Sequence, residues 1–180
     1  MSVSSDPQFS IRRAAPDDAP TLAALGAATF SETFGHLYPA EDLRSFLAGS
    51  HSVEAWARML ADSERAVWTA WAATIPAATP IGFIAVGPCK LPVDHREAAA
   101  GEIQQLYVLA QYQSRHLGSR LMDAALEWLE ARGRMPLYIG VWSQNHGAQR
   151  FYRRFGFDKV GEYGFAVGKT VDREFILKRK

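Results

Sequence analysis

Between Gly101 and Leu129 the spacing of apolar residues changes its period once, and the change marks the most informative junction of the chain. Ile103, Gln105, Tyr107 and Leu109 alternate with Glu102, Gln104, Leu106 and Val108, a period of two that predicts a strand with those two sets on opposite faces. From Leu117 onward, Leu117, Leu121, Met122, Ala125 and Leu129 recur at helical spacing, with Arg120, Asp123, Glu127 and Glu130 on the other side. A strand therefore runs through a short turn into a helix whose first turn is expected over residues 115–119. The first amides of a helix have no intrahelical partner and carry the positive end of its dipole. No Asp or Glu falls between Gln111 and Arg120 to answer that charge, so the junction is suited to holding an anion such as phosphate.

The same reading extends along the chain. Leu137-Tyr138-Ile139-Gly140-Val141-Trp142 reads as a second buried strand. Ser143 as a cap and Gly156 just past the end predict a short helix over residues 144–155. Upstream, residues 9–14 read as a strand, and Pro16-Asp17-Asp18 opens a helix continued by Leu22, Leu25, Thr29, Phe30 and Phe34. A second helix starts at Pro39-Ala40-Glu41-Asp42, and a third, from Ser52 or Val53 to Leu60, presents Val53, Trp56 and Leu60 on one face. Strands are expected over 66–71, 81–86, 160–166 and 172–177, with a hairpin turn at 76–80 and an exposed loop at 87–100. Residues 1–8 read as disordered, residues 9–180 as one domain, and the alternation of elements implies a mixed sheet covered by helices.

Composition narrows the function classes. Apolar residues make up 48% of the 180, enough for a sizeable core, and 20 basic against 19 acidic residues leave a net charge of +1. That balance argues against a dedicated nucleic-acid or membrane-surface protein. Cys89 is the single cysteine, so neither an intrachain disulfide nor a metal cluster is expected. The N-terminus lacks a basic and apolar leader, and no stretch reaches the ~18 apolar residues of a membrane span, so a cytoplasmic location is expected. The sequence leaves room for a homodimer.

Two stretches carry a family resemblance. The run Gln113-Ser114-Arg115-His116-Leu117-Gly118 resembles the pyrophosphate loop of the GNAT N-acetyltransferases, written Gln/Arg-x-x-Gly-x-Gly/Ala, with His116 where the family has its middle glycine. Asn145, followed by Ala148-Gln149-Arg150-Phe151-Tyr152 and Gly156-Phe157, resembles the family's second cofactor motif. Thr29 to Phe34, Pro39 to Leu43, Glu102 to Val108 and Gly140-Val141-Trp142 are similar to the PaiA-like branch, whose members acetylate polyamines. The resemblance implies an α/β (α+β) GNAT fold, a mixed central sheet of about six or seven strands flanked by helices on both faces. It implies acetyl-CoA as co-substrate, no metal, and a small-molecule amine as acceptor.

It also implies roles. The backbone at Leu106, Tyr107 and Val108 would bind the pantetheine arm where the strand splays from its neighbour. Gln113, Ser114, Arg115, His116, Leu117, Gly118, Ser119 and Arg120 would cradle the pyrophosphate, and Asn145 would bond the pantetheine amide. Tyr152 would protonate the departing thiolate, and Glu102 would serve as general base. Either carboxylate or phenol has an ordinary reading beside this one: a solvated strand end for Glu102, an aromatic in a packed pair for Tyr152.

A polycationic acceptor needs carboxylates beside aromatic walls. Glu32, Glu41 and Asp42 lie close in sequence to Phe34, His36 and Tyr38, so Glu32, Phe34, His36 and Tyr38 are expected at the acceptor site, although Glu41 and Asp42 equally suit a helix start. His36, His51, His95 and His146 show no ligand spacing and read as surface or loop residues, and Lys178-Arg179-Lys180 as a solvated end. Cys89, expected on an edge strand, offers no covalent nucleophile, so direct transfer is expected. Alternative acceptors are a peptide N-terminus, a lysine or an amino-sugar drug. A non-catalytic acyl-CoA sensor is the alternative from another class, favoured only by His116.

Overall fold

The computed structural model describes residues 9–73, 79–94 and 96–180. The expected disorder of residues 1–8, most of the hairpin turn at 76–80, and His95 lie outside those residues. Seven strands, β1 (Phe9–Arg13), β2 (Ala66–Ala72), β3 (Pro80–Pro88), β4 (Gly101–Val108), β5 (Leu137–Trp142), β6 (Asp158–Val167) and β7 (Thr170–Arg179), form one sheet in the order β1-β2-β3-β4-β5-β7-β6. Neighbours run antiparallel except β4 and β5, which are parallel. The α-helices among the described residues are α1 (Ala19–Phe34), α2 (Ala40–Ser50), α3 (Val53–Ala61), α4 (Leu117–Ala131) and α5 (His146–Arg154). None is long and apolar enough to cross a membrane.

Both faces of the sheet are covered, and the periodicities of the chain decide by what. On one face Leu117, Leu121, Met122, Ala125 and Leu129 of α4 pack on Ile84, Val86, Ile103, Ile139 and Val141. On the other, Leu22 and Leu25 of α1 and Trp56 of α3 pack on Val67, Phe83 and Ala85. Each of the Leu, Ile, Val, Met and Phe side chains among these, fully buried, contributes roughly 1.5–3 kcal/mol of transfer free energy. The sheet is thus the mixed, helix-flanked one expected.

Strand β4 departs from strict alternation. Against β3 its register runs Ala85↔Gln105 and then Val86↔Ile103, leaving Gln104 as the extra residue of a bulge. Ile103, Leu106 and Val108 therefore share the α4 face, while Tyr107 packs with α1 and α3. The expected grouping of Ile103 with Gln105, Tyr107 and Leu109 fails because the bulge resets parity by one position.

Strand β4 pairs with β3 along its whole length, from Gly82↔Val108 to Pro88↔Gly101, but with β5 only at Gly101↔Leu137 and Glu102↔Tyr138. Past that point the two parallel strands part. The β6–β7 hairpin lies beyond β5, closed by a two-residue turn that Gly168 opens at φ +60°. A second bulge, at Val160, then sets Tyr163 opposite Glu174 and Phe165 opposite Asp172.

Several local expectations are corrected. Pro16–Asp18 forms a 3-10 turn, and the α-helix begins at Ala19. Helix α5 starts at His146 rather than Gln144, because Asn145, not Ser143, caps it by accepting from Ala148 N at 3.0 Å. Cys89 follows β3, an interior strand, and is buried with Leu91, Ala100, Tyr138 and Ile176, so the 87–100 segment folds part of itself under the sheet instead of standing exposed. The C-terminal residues are not a free tail: β7 runs to Arg179, Lys178 Nζ lies 3.3 Å from Glu97 Oε1, and Arg179 Nη2 lies 3.1 Å from Glu130 Oε1.

Gly156 follows Phe155, the C-cap of α5, at φ +81°, and a Cβ there would meet no atom closer than Arg179 Cγ at 3.9 Å. Its cost of substitution is therefore backbone strain alone. Gly156→Ala is expected to lower stability by about 1 kcal/mol with an unchanged denaturant slope in urea unfolding.

Candidate functional site

The parting of β4 and β5 opens a cavity of about 730 Å³ that is continuous from the start of α4 to the β6–β7 hairpin. At one end lies the turn between β4 and α4. Ser114 and His116 both adopt left-handed backbone conformations, at φ +61° and +58°, which non-glycine residues adopt only at a cost. His116 is the N-cap of α4 with no side-chain cap bond, and the first helical hydrogen bond runs from Arg120 N to His116 O at 3.1 Å. The amides of Leu117, Gly118 and Ser119 precede that bond and stay without a helical acceptor, at the positive end of a 15-residue helix. Successive amides in such a turn form an anion-binding concavity, which fits a diphosphate. Gln113 Nε2 ties the turn back to β4 by donating to Val108 O at 3.0 Å.

Most of the expected cradle meets here. Gln113, Ser114, His116, Leu117, Gly118 and Ser119 line the cavity. The two arginines do not: Arg115 lies 6.0 Å from the rings of Phe9 and Tyr112, and Arg120 Nη1 donates to Phe9 O at 3.3 Å. Both turn toward β1. The first helical turn therefore offers its backbone to an anion rather than these guanidinium groups.

In the middle of the cavity, Leu106, Tyr107 and Val108 line one side, and past Glu102 the facing edge of β4 has no ladder partner on β5. Tyr152, on α5, is 7% exposed, and its hydroxyl makes no hydrogen bond among the described residues. Burial and the nearby charge of Glu174 both hold its pKa far above that of a free phenol, so it carries its proton throughout the neutral range. Asn145 uses Oδ1 for the cap and keeps its amide NH₂ for the cavity it lines.

The far end is acidic, and its acids come from strands rather than from the N-terminal helices. Glu102 is 8% exposed, not the solvated strand end of its ordinary reading; Oε2 accepts from Lys90 N at 2.6 Å. Burial raises its pKa, while amide donors from Lys90 and Leu91 pull it back. Asp172 and Glu174 lie on β7, where exposed Val171 and Arg173 alternate with them. Tyr38 OH donates to Asp172 Oδ2, and Tyr163 OH donates to Glu174 Oε2 at 2.5 Å. Burial lifts the Glu174 pKa against the Tyr163 hydrogen bond, and the charges of Asp172 and Glu102 lift it further. Sequence reasoning missed these two acids. Their signal was parity: in a strand they share a face with the buried Ile176, where acids have no ordinary reason to be.

The N-terminal segment contributes aromatic walls. Phe30, Phe34, Tyr38 and Phe46 line the cavity, Phe34 meeting Trp142 edge to face at 5.9 Å. Glu32 and His36 do not line it; Glu32 Oε2 instead accepts from Ala110 N at 3.1 Å, at the 3-10 turn after β4. Asp42 accepts from Lys169 N at 3.2 Å beside the β6–β7 turn. His51 is not a surface residue. It is 5% exposed, packed among Phe30, Phe46 and Trp56, and lines the cavity, and burial lowers its pKa to about 4, so it is a neutral wall. Gly26 makes that possible, since a Cβ there would overlap the imidazole.

The chain is similar to known proteins over most of its length. The model of the acetyltransferase (GNAT) family matches residues 28–157. An uncharacterized N-acetyltransferase in the pepI 3′ region of Lactobacillus delbrueckii subsp. lactis is 26% identical over 175 residues, covering 90% of this chain and 91% of the relative. Spermidine N(1)-acetyltransferase of Thermoplasma acidophilum is 23% identical over 170 residues, covering 94% and 96%. The crystal structure of PaiA N-acetyltransferase from Thermoplasma acidophilum in complex with coenzyme A superposes with a TM-score of 0.75 at 22% identity, covering 96% of this chain and 98% of that one. That likeness is one of fold.

The strained cap gives a direct test of the turn. His116→Gly relieves a left-handed conformation that costs roughly 1 kcal/mol, so coenzyme A binding by calorimetry should hold or tighten modestly. A loss greater than about tenfold would show that the imidazole itself contacts phosphate.

Proposed function

This chain belongs to the acetyltransferase (GNAT) family, and on that premise we propose that it moves an acetyl group from acetyl-CoA directly to a primary amine of a cationic small molecule, a polyamine best of all. One observation carries the reading. A single cavity joins an anion-ready turn to a pocket holding three carboxylates, Glu102, Asp172 and Glu174, between aromatic walls. A polyamine presents what such a pocket complements: ammonium groups for the carboxylates and methylene segments for Phe30, Phe34, Phe46 and Trp142. The similarity to a spermidine N(1)-acetyltransferase supports the same acceptor class.

Acetyl-CoA supplies an acetyl thioester, whose carbonyl carbon is the electrophile. The turn from Gln113 to Ser119 holds the diphosphate through backbone amides, and the open edge of β4 at Leu106, Tyr107 and Val108, with Asn145, orients the arm that follows. Tyr152 keeps a proton in reserve at the hydroxyl and gives it to the departing sulfur, which has an ordinary pKa of about 8.5. A cavity carboxylate takes the proton of the amine. The Cys89 thiol, buried outside the cavity and raised in pKa chiefly by that burial, offers no acyl acceptor, so transfer is direct.

Release of free coenzyme A across a panel of amines tests this. Spermidine or spermine is expected to turn over faster than uncharged or singly charged amines, with KM rising steeply with salt as the carboxylates are screened. Equal rates on a monoamine, or a KM indifferent to salt, would move the acceptor to a peptide or a small drug. Coenzyme A binding with no turnover on any amine would leave a sensor. Tyr152→Phe should lower kcat by about 10- to 1000-fold with little change in acetyl-CoA affinity, because only the proton donor is lost.

A further inference from the structure

We propose that Glu174, on β7, is the group that takes the proton from the acceptor amine, with Tyr163 as the residue that positions it; this rests on the transferase reading above. Three features of placement carry it. Glu174 lies opposite Trp142 of β5 and opposite Tyr163 of β6, so a strand on each side fixes its backbone. Its Oε2 is held by Tyr163 OH at 2.5 Å and points toward Gly140, where a Cβ would stand 2.9 Å from Oε2 and 2.6 Å from the Tyr163 hydroxyl. Gly140 therefore leaves open the space that this pair occupies, at the level where β4 and β5 have separated. Acid and base must also flank one carbon atom. Glu174 is the carboxylate whose charge Tyr152 feels, and Tyr107 feels both Tyr152 and Glu174.

Glu102 is placed differently. It sits where β4 and β5 are still paired, through Glu102↔Tyr138, and its carboxylate is engaged by the Lys90 amide at 2.6 Å. That makes it a structural anchor for the segment after β3. Asp172, bonded to Tyr38, lies two residues from Glu174 on the same face of β7, about 7 Å along the strand, where it can hold a second ammonium.

The groups that face Glu174 are Glu102 and Tyr107 of β4, Tyr152 of α5, Tyr163 of β6, Asp172 of β7 and Tyr38 from the turn after α1. Among the described residues no cation acts on Glu174 itself, while Lys90 and Arg65 act on Glu102 and Arg154 lines the cavity. Two further carboxylates and burial keep Glu174 more basic than a free carboxylate, and the Tyr163 hydrogen bond opposes them. The ammonium gives one proton to Glu174 and becomes the free amine. The nitrogen–carbon bond forms as the carbon–sulfur bond breaks, and the sulfur takes the Tyr152 proton. The second nitrogen proton returns to the Tyr152 oxygen, and Glu174 releases its proton to solvent. One ammonium and one thioester thus become one amide, one thiol and one proton.

The test compares kcat/KM for spermidine from about pH 6 to about pH 10, between the carboxylate and amine ranges, in wild type, Glu174→Gln, Glu102→Gln and Tyr163→Phe. Wild type should be level once Glu174 is ionised. Glu174→Gln should lose that plateau and climb about tenfold per pH unit toward the amine's own pKa near ~10, since only free amine then reacts. Glu102→Gln should keep the wild-type shape. Tyr163→Phe removes a donor that favours the carboxylate, so its acidic limb should move to higher pH. Calorimetry without acetyl-CoA should show spermidine affinity falling less than about tenfold in Glu174→Gln, while kcat at neutral pH falls by about 100-fold or more. Intact coenzyme A binding certifies the fold of each variant. The sloping profile in Glu102→Gln, or a Glu174→Gln enzyme with the wild-type plateau, overturns the assignment while leaving the transferase reading intact. A wild-type enzyme inert toward every amine overturns both.

Discussion

The parallel pairing between β4 and β5 stops after Glu102↔Tyr138, and the functional geometry depends on that stop. Backbone groups in the middle of a sheet are ordinarily paired, because a buried unpaired amide or carbonyl is costly. Here the sheet stays continuous on either side, through β3 and through β7, so the gap is a local wedge rather than a broken sheet. Helix α4 braces one face through Leu117 and Leu121, which are almost fully buried against the strands. Gly140 then keeps the wedge open on the β5 side. The turn before α4, the Tyr152 side chain and the acidic pocket all line this one opening.

The electrostatics of the acceptor end are unusual in their compensation. Three carboxylates share one pocket, yet their hydrogen-bond donors are phenols and a backbone amide: Tyr38, Tyr163 and the Lys90 N–H. Neutral donors satisfy oxygen lone pairs without cancelling charge. Had arginines or lysines filled those places, the carboxylates would be neutralised and a cationic ligand would have little to gain. Burial of like charges costs stability, and that cost falls when a cation enters. Lys90 and Arg65 offset part of the charge of Glu102, while Asp172 and Glu174 keep phenols as their hydrogen-bond partners.

How much of this could be read from the sequence depended on whether the signal was local. The β4–α4 junction, the buried β5 strand and the Asn145–Phe157 segment were legible, because periodicity and turn residues act over a few positions. His116 stands where the resembling motif has a glycine, and its positive φ suits that place; Ser114, also at positive φ, carries no such sign in the sequence. The lining of the cavity's acidic end was only half legible. Phe34 and Tyr38 line it together with Glu102, but Glu32 accepts from the Ala110 amide instead, and two further acids come from β7, over 130 residues away in the chain. Register made the difference. The bulges at Gln104 and Val160 fix which side chains face the opening, and no local pattern announces a single extra residue in a strand. His51 eluded the sequence for a related reason: its burial depends on a missing side chain at Gly26 of another helix.

A structure of the protein bound to a bisubstrate analogue, coenzyme A joined through its sulfur and an acetyl bridge to one end of spermidine, addresses the central claim most directly. The account places the diphosphate on the amides of Leu117, Gly118 and Ser119, the bridge between β4 and β5 beside Tyr152, and the polyamine chain past Glu174 toward Asp172. A polyamine chain that left the wedge elsewhere, with Asp172 and Glu174 still turned to their tyrosines and touching no nitrogen, would contradict it.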